Sequence, residues 1–468
     1  MKSSESSIAE SLARFVKAYS FEDLPGDVVA QAKLSILDCI GVAIRGSMQE
    51  STRIARDLIL SCGGGSQSTL LGTGQQVSVL DAAFVNGTSA HSLELDDHIS
   101  HARSLGHPGV VSIPAAIALG EHRRVSGRTF LAAIVHGYEV TSRLNDAVPP
   151  GFDCFTRGFS GTAITGTFGA AALSAKILDS TVESIVNAFG ICGSLTAGSF
   201  EYNVSGAWTK RLHAGQSSRN GLLAALLADG GFTGPSTAIE GEHGFLNSYF
   251  GKDNYDVTLI LKDLGEDWAL RHIMYKPFAC AGILHSPLTA TRTAMRANNI
   301  RFEDIQRIVV HTAATVIREM TNPPGRKVSP RTPVDAQLSL PYAVAVMAAR
   351  GKALVDEFSD DAIADPKVQD LARRVEWLAD PEIDKSWPNA DPSTVKVVLK
   401  DGREFTAAVP GAQGSLEVPM TVAELTQKFM DLTSPVIGDK KARHVVQLVE
   451  RVDTLRDISS LVGLLHAE

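Results

Sequence analysis

The amino-acid sequence predicts a mainly α fold with an α+β part. Three observations support this fold class: apolar residues recur at helical spacing to about residue 250, β-branched segments follow, and helical spacing returns after Pro419. The 468 residues are more than one ordinary hydrophobic core accommodates. We therefore expect a large all-helical domain formed by both chain ends, residues 1–268 and 410–468, with a smaller α+β domain at 269–409 inserted between them.

The first helical part is predicted to contain many closely packed helices. The first two, at 5–20 and 27–44, are separated by the turn signal Pro25-Gly26, and the second carries a broad apolar face. Further helices are predicted at 79–95, 110–122, 128–146, 161–177, 181–195 and 215–229. Several of them are rich in Ala, Gly, Ser and Thr, whose small side chains allow helix backbones to approach one another.

The inserted part combines strands with helices. Residues 308–312 are β-branched and predict a strand, while 394–400 and 403–409 predict a β-hairpin around Asp401-Gly402, a type I′ turn sequence. Helices are predicted at 283–298 and 333–350 and, after the hairpin, at 421–432, 439–450 and 455–465. A helical tail that follows an inserted α+β module is expected to rejoin the first domain.

The composition is that of a soluble globular enzyme, with 44% hydrophobic and 21% charged residues. The net charge of −8 and the lack of Lys/Arg runs argue against a nucleic-acid-binding protein. No apolar run is long enough to span a membrane, and the N-terminus leads into an amphipathic helix rather than a signal sequence. Five widely spaced cysteines without a CxxC pair indicate core residues in a reducing cytoplasm.

Residues 91–107 concentrate the polar groups with acid–base potential. Four imidazoles, three carboxylates and one guanidinium occur within these 17 residues, between two apolar helical patterns. They are His91, Glu94, Asp96, Asp97, His98, His101, Arg103 and His107. Because such groups are costly to bury, the cluster indicates acid–base chemistry, although each residue alone could be structural or exposed. Metal binding ranks lower, since no His-Glu-x-x-His or paired-cysteine motif occurs.

Two further groups of residues suit anion binding. Lys210 and Arg211 lie just before the helix predicted at 215–229, where they would bind a carboxylate or phosphate together with backbone donors. A positively charged surface turn is the alternative. Residues 157–162, with the sequence Arg157-Gly158-Phe159-Ser160-Gly161-Thr162, form a Gly- and hydroxyl-rich turn that opens the helix predicted at 161–177 and is a candidate anion nest. No Walker, dinucleotide or G-x-S-x-G motif occurs.

The order of several short motifs resembles the MmgE/PrpD family. The motifs are Asn86-Gly87, His91-Ser92, Leu95-Asp96-Asp97, Gly106-His107-Pro108, Gly137-Tyr138-Glu139-Val140, Arg157-Gly158-Phe159, Lys210-Arg211-Leu212-His213-Ala214-Gly215, Lys276-Pro277-Phe278, His285 and Ser339-Leu340-Pro341-Tyr342. Each motif is weak alone. The matches run in family order from about residue 10 to about residue 430, which makes the combination specific.

The resemblance implies an enzyme that moves a proton at a carbon next to a carboxylate. The family includes 2-methylcitrate dehydratase, cis-aconitate decarboxylase and iminodisuccinate epimerase. It implies a small di- or tricarboxylate substrate, a homodimer, no metal or organic cofactor, and an active site in a cleft between the helical domain and an α+β lid. The family's site residues correspond here to Asp96, Asp97, His107, Lys210 and His285, and Tyr138 belongs to a family motif.

The cluster, the cationic pair and the resemblance together predict two groups of site residues. The predicted catalytic group is Lys210, His107, His285, Asp96 and Tyr138. The predicted substrate-binding group is Glu94, Asp97, His98, Arg103, Ser160, Arg211 and Lys276. No residue is predicted to bind a metal.

Three positions depart from the family pattern. Glu94 stands where many members have Asp, His98 where many have Thr, and Ser160 where the dehydratases and decarboxylases typically have His. Because an epimerase needs no acid to assist a leaving group, the loss of this imidazole favours epimerisation of an amino-dicarboxylate such as iminodisuccinate. A lyase acting on a tricarboxylate is the alternative. An inactive binding protein is a third possibility, which the concentration of His, Asp and Lys argues against.

Overall fold

Helices dominate the first part of the chain in the computed structural model, which describes residues 6–100, 106–148 and 157–467. They are α1 Ile8–Ala18, α2 Gly26–Gly46, α3 Glu50–Cys62, α4 Val79–Ala90, α5 Gly109–Arg123, α6 Gly127–Asp146, α7 Gly161–Ile177, α8 Val182–Leu195, α9 Tyr202–Ser205, α10 Thr209–Asp229, α11 Phe245–Phe250 and α12 Thr258–Leu261. Two short antiparallel pairs join β1 Ser68–Thr69 to β2 Gln76–Val77, and β3 His98–Ile99 to β4 Ile273–Met274. None of the described helices is both long and apolar enough to cross a bilayer.

The α+β part contains a four-stranded sheet. Its strands are β5 Ile305–Thr312, β6 Val375–Ala379, β7 Ser393–Leu399 and β8 Glu404–Val409, in the order β6-β5-β7-β8. Strand β5 pairs with β6 in parallel and with β7 antiparallel, and β7 pairs with β8 antiparallel. The helices of this part are α13 His285–Ala297, α14 Ala314–Met320, α15 Pro324–Lys327, α16 Pro333–Gln337, α17 Leu340–Arg350, α18 Asp360–Ile363, α19 Pro366–Ala372 and α20 Pro381–Ser386. Helices α21 Val422–Ile437, α22 Asp439–Glu450 and α23 Ser459–Val462 follow.

The structure confirms the mainly α fold class with an α+β part. The strand predicted at 308–312 lies within β5, and the predicted hairpin is β7 and β8. Strand β6 was missed because a charged residue interrupts its apolar pattern at the largely exposed edge of the sheet. Helix α10 begins at Thr209, earlier than predicted, so Lys210 and Arg211 lie inside its first turn rather than before it.

The helix predicted at 333–350 is divided into α16 and α17. The Ser339 hydroxyl accepts a hydrogen bond from the Tyr342 amide, and Pro341 lies in the first turn of α17. These are the signals of a helix start, so the chain begins a second helix there. Helix α4 is also shorter than predicted: it ends at Ala90, before the polar cluster, rather than at residue 95.

Buried apolar side chains form two clusters. The first joins the N-terminal helices to the last ones, as in Leu12 of α1, Val445 of α22 and Leu461 of α23. The second is built mainly from the sheet and the helices around it, including Tyr342 of α17 and Val397 of β7. The C-terminal helices therefore pack with the first helices, as expected for the returning tail. The predicted domain boundaries themselves stay predictions.

Two glycines bring α4 and α10 into direct backbone contact. A Cβ atom at Gly87 would lie 2.8 Å from Gly215 Cα, and one at Gly215 would lie 2.2 Å from the Phe84 carbonyl oxygen. Neither position leaves room for a side chain, so the two helices approach as closely as their backbones allow. This contact places the start of α10, which carries Lys210, beside the end of α4, where His91 follows.

Candidate active site

Asp96 is the centre of a buried hydrogen-bonded group in the active-site segment, residues 91–100, which follows α4. His91 Nδ1 lies 3.2 Å from each Asp96 carboxylate oxygen, and His107 Nδ1 lies 2.7 Å from Asp96 Oδ2. His107 Nδ1 is also 3.0 Å from the Asp97 carbonyl oxygen. Asp96 and His91 are buried, whereas the His107 side chain is 20% exposed.

We assign the tautomers of the two imidazoles from their hydrogen-bond partners. Both groups near His107 Nδ1 are acceptors, so this nitrogen carries a proton and donates it. The other nitrogen, Nε2, forms no hydrogen bond with the described part of the chain. His91 is committed at both nitrogens, because its Nε2 lies 3.0 Å from Lys210 Nζ. His107 is therefore the ring that can exchange a proton with a bound molecule.

Burial and neighbouring charges set the ionisation of this group. Burial lowers the pKa of His107 to about 4, although Asp96 opposes the shift. Burial and the charge of Lys210 also lower the pKa of His91. Burial alone would raise the pKa of Asp96, but the adjacent His91 and His107 hold it well below its usual value. At neutral pH the carboxylate is ionised and the His107 ring is neutral.

Glu94 holds two ammonium groups beside this cluster. Lys210 Nζ forms an ion pair with Glu94 Oε1, and Lys276 Nζ lies 3.4 Å from Glu94 Oε2. Burial would raise the pKa of Glu94, but the two lysines lower it below its usual value. Burial lowers the pKa of Lys210, against the effect of Glu94, while Glu94 and Asp96 outweigh burial and raise that of Lys276. Glu94, Lys210 and Lys276 therefore compensate one another's charges in the buried site.

These groups open into a cleft between the helical part and the α+β part, with about 790 Å³ of empty space. Five predicted site residues line it: Lys210, His107, Glu94, His98 and Ser160. The α+β part contributes Ala281, Gly282, Ile283, Thr315, Glu319, Met320 and Leu338. A concave site with a few convergent polar groups among apolar side chains is typical of small-molecule binding.

Asp97 and Tyr138 lie behind the cleft rather than on its wall. The Tyr138 hydroxyl donates to Asp97 Oδ2 at 2.6 Å, and a Cβ at Gly109 would lie 2.2 Å from Asp97 Oδ1. The Asp97 carboxyl group, predicted to bind substrate, instead faces Tyr138 and the start of α5. Burial raises its pKa to about 8, with the nearby Asp38 adding to the shift. Asp97 therefore supports His107 through its carbonyl oxygen.

The other predicted residues are placed as follows. Lys276 is fully buried; its ammonium group pairs with Glu94, and its charge also acts on Asp96. His285 Nε2 lies 3.2 Å from the Cys280 carbonyl oxygen, and its ring packs 5.3 Å from that of Phe278. Arg211 points to a separate groove, where it donates to Ser51 Oγ at 3.0 Å. Arg103 lies outside the described residues.

The cleft residues without a predicted catalytic or substrate-binding role include His91, Thr162 and Glu319. His91 belongs to the predicted polar cluster, and its spacing from Asp96 was the available signal. Thr162 Oγ1 accepts a hydrogen bond from the His107 amide at 3.2 Å. Glu319 lies on α14 and lines the cleft from the α+β part. Thr162 belongs to the candidate anion nest predicted at 157–162, whereas Glu319 has no sequence signal, because single Glu residues in helices are common.

His91, Asp96 and His107 could also hold a metal ion, since one ligand atom of each lies within 4.8 Å of the others. In the structure these atoms are hydrogen bonded to each other, and Lys210 occupies the second nitrogen of His91. Metal independence stays our prediction. Turnover should survive dialysis against EDTA, and elemental analysis of the active protein should find no stoichiometric metal. Tightly bound zinc or iron with EDTA-sensitive turnover would contradict it.

Comparison with known proteins identifies relatives along nearly the whole chain. Residues 10–258 match the MmgE/PrpD N-terminal domain, and residues 278–454 match the MmgE/PrpD C-terminal domain. Cis-aconitate decarboxylase of Aspergillus terreus is 28% identical over 99% of this chain and 96% of its own length. The Homo sapiens cis-aconitate decarboxylase is 27% identical over 98% and 94%. The mitochondrial 2-methylcitrate dehydratase of Yarrowia lipolytica is 20% identical over 94% and 84%.

Proposed function

Because this chain belongs to the MmgE/PrpD family, we propose that it is a lyase that removes CO₂ from an unsaturated tricarboxylate of the cis-aconitate type. The relatives described above support this proposal, since two are named cis-aconitate decarboxylase and align with almost the entire chain. They favour the lyase alternative over the epimerase that Ser160 suggested. The cleft also retains imidazoles at His91, His98 and His107, so the serine does not remove acid–base chemistry.

The pairing of His107 with Asp96 at the wall of the cleft carries the proposal. Decarboxylation with a shift of the double bond requires one proton to be delivered to carbon. His107 Nε2 is placed for this delivery, because Asp96 holds Nδ1 at 2.7 Å and would stabilise the protonated ring. Lys210 lies in the same cleft and supplies positive charge for the substrate carboxylates.

In the proposed reaction, the bond between the substrate's CH₂ carbon and its carboxylate breaks, and CO₂ leaves. The released electron pair forms a new double bond to the central carbon. The pair of the original double bond takes a proton from Nε2 of protonated His107, which gives a methylene-substituted dicarboxylate. Negative charge that develops beside the remaining carboxylate is stabilised by Lys210. Each turnover consumes one proton, which solvent returns to His107.

The proton-donor role of His107 predicts a falling pH profile. In the free enzyme the donor form is populated only near and below a pKa of about 4. Because kcat/KM reports the ionisation of the free enzyme, we expect it to fall about tenfold per pH unit from pH 5 to pH 7. Initial rates at low substrate across this range measure the slope. A flat or rising profile would contradict the donor role and would instead fit a neutral His107 acting as a base.

Incubation with cis-aconitate in D₂O tests the proposed function directly. We expect CO₂ release and a product with one deuterium at the newly protonated carbon, seen by proton NMR. Turnover should reach an ordinary enzymatic rate, roughly 1–10³ per second. Parallel samples contain 2-methylcitrate or iminodisuccinate. Dehydration of 2-methylcitrate or deuterium exchange in iminodisuccinate, without CO₂ release from cis-aconitate, would contradict the proposal.

Epimerisation of an amino-dicarboxylate such as iminodisuccinate is the second candidate. Glu319 favours it, because its carboxylate, which pairs with Arg318 at 2.7 Å, belongs to a residue on the wall of the cleft and would accept a hydrogen bond from a substrate amine. Ser160 also favours it, because an epimerase does not need the imidazole that dehydratases and decarboxylases typically have at this position. Dehydration of 2-methylcitrate has the support of one relative. The three substrates above separate these activities.

We also propose that the protein is a homodimer. Met48, Ile54 and Leu58, on and just before α3, are 63%, 48% and 59% exposed, which is unusual for large apolar side chains so close in sequence. Light scattering should give twice the chain mass of 49.8 kDa. Leu58→Glu should shift the mass towards the monomer, whereas Leu378→Glu on the exposed strand β6 should not. A monomeric wild type would contradict the assignment.

A cytoplasmic location is the final part of the proposal. It is supported by the described cysteines, which are free thiols. Cell fractionation measures it.

A further inference from the structure

A residue from the C-terminal part of the chain holds the active-site segment from its far side. Lys428 of α21 donates from Nζ to the Leu95 carbonyl oxygen at 2.6 Å and to Asp38 Oδ1, also at 2.6 Å. Asp38 lies on α2 and is buried. One ammonium group therefore connects α2, α21 and the backbone that carries Glu94 and Asp96.

Leu95 lies between the two carboxylates that organise the site. Glu94, which pairs with Lys210, has a φ of 54°, in the left-handed region that residues other than glycine seldom adopt. Such a conformation persists only where the surrounding structure imposes it. The hydrogen bond from Lys428 to the Leu95 carbonyl oxygen helps to impose this conformation. Without it, the segment could relax and turn Asp96 away from His107.

Asp38 keeps the Lys428 ammonium in place. Burial raises the pKa of Asp38, and Lys428 opposes this shift, as does the nearby Asp97 amide. Lys428 and Leu95 also line an open groove with about 1280 Å³ of empty space, which is separate from the cleft that His107 lines. The pairing with Asp38 holds the side chain against the Leu95 carbonyl instead of letting it turn into this groove.

We propose that Lys428 and Asp38 are positioning residues for catalysis, which fix the backbone at Leu95 so that Asp96 faces His107 and Glu94 faces Lys210. The inference rests on the proposed decarboxylation, although neither residue lines the cleft. Its basis is that Lys428 contacts both Asp38 and the Leu95 carbonyl oxygen at 2.6 Å, directly after Glu94, whose backbone is left-handed.

Lys33 provides a matched control. It also joins α2 to the C-terminal part of the chain, since its Nζ donates to the Glu450 carbonyl oxygen at 2.8 Å and pairs with Asp453. Among the described residues, Lys33 forms no hydrogen bond or ion pair with the active-site segment. Lys33→Ala and Lys428→Ala therefore remove similar links between α2 and the C-terminal helices, and only the second releases Leu95.

The test combines steady-state kinetics with hydrogen–deuterium exchange of the full-length variants. Lys428→Ala should lower kcat for decarboxylation about 10²-fold, the loss expected when a catalytic group is misplaced by about 1 Å. KM should change little, because Lys210 and His107 remain in the cleft. Amides of residues 94–99 should exchange faster than in the wild type. Lys33→Ala should keep wild-type kcat and wild-type exchange in this segment.

Chemical rescue adds a third readout. Because the groove is open, propylammonium chloride should enter the space left in Lys428→Ala and restore part of kcat. Sodium chloride at the same ionic strength should not. If both salts act equally, or if Lys33→Ala loses as much kcat as Lys428→Ala, the positioning role is overturned. Wild-type exchange at residues 94–99 in Lys428→Ala also overturns it.

Asp38→Asn serves if Lys428→Ala does not fold. It keeps the side-chain volume but removes the charge that holds Lys428, so faster exchange at residues 94–99 and a smaller loss of kcat are expected. Unchanged exchange and kcat in this variant overturn the proposal. If the wild type does not decarboxylate cis-aconitate, the proposed function fails, while the exchange measurements still decide whether Lys428 fixes the segment.

Discussion

Replacement of His107 by Asn is expected to lower kcat for decarboxylation by about 10²–10⁴-fold, the usual contribution of a positioned proton donor. The Asn amide can still donate to Asp96 from near the position of Nδ1, so the buried carboxylate keeps a partner. It has no group that can transfer the proton that His107 Nε2 delivers. Rates of CO₂ release at saturating substrate measure the loss, and KM should change much less than kcat.

His136→Asn is the control for this experiment. His136 lies on α6, outside the cleft, with Nδ1 2.8 Å from the Ala132 carbonyl oxygen. Burial lowers its pKa to about 4, as it does for His107. The control variant should lose thermal stability but keep kcat close to that of the wild type. Substantial decarboxylation by His107→Asn would contradict the assignment of His107 as the proton donor.

Lys210→Met is expected to lower kcat/KM by about 10²–10³-fold, as for the loss of one preorganised charge contact. The ammonium group lies in the cleft, where it can bind a substrate carboxylate and stabilise the charge that develops during CO₂ loss. The melting temperature should fall only slightly. Lys276 remains 3.4 Å from Glu94 and still compensates its buried charge, while methionine fills the volume of the lysine chain.

Arg211→Met is the matching variant for Lys210. Arg211 is the next residue of α10, but its guanidinium donates to Ser51 and lines a separate groove. Its replacement should leave kcat/KM near the wild-type value. Loss of activity in Arg211→Met equal to that in Lys210→Met would restore the prediction from sequence that Arg211 binds substrate. Wild-type activity in Lys210→Met would remove Lys210 from the mechanism.

The polar cluster and its flanking helices could be predicted from the sequence because they are local. Crowded His and Asp residues between two apolar helical patterns indicate a site wherever the helices pack. The orientation of each residue could not be predicted, because neighbours in the sequence face opposite ways. Asp96 receives two imidazoles, while Asp97 turns to Tyr138 behind the cleft. The left-handed Glu94 just before them carries no sequence signal of its own.

Contacts between distant parts of the chain were also beyond sequence reasoning. Lys210 reaches His91 across 119 residues, and Lys428 reaches Leu95 across 333 residues. The preference for an epimerase shows the same limit. Ser160 alone favours an epimerase, whereas the folded chain brings His91 and His107 to one carboxylate beside the same cleft.

The backbone contact between Gly87 and Gly215 gives helix spacing an influence on proton affinity. Burial lowers the pKa of His91, and Lys210 adds to this shift because α10 lies against α4 at these two glycines. A methyl group at residue 215 would push the helices apart and weaken that effect. The pKa of His91 would then rise towards its usual value. The spacing of two helix backbones therefore contributes to the proton affinity of an imidazole that lies beyond the end of α4.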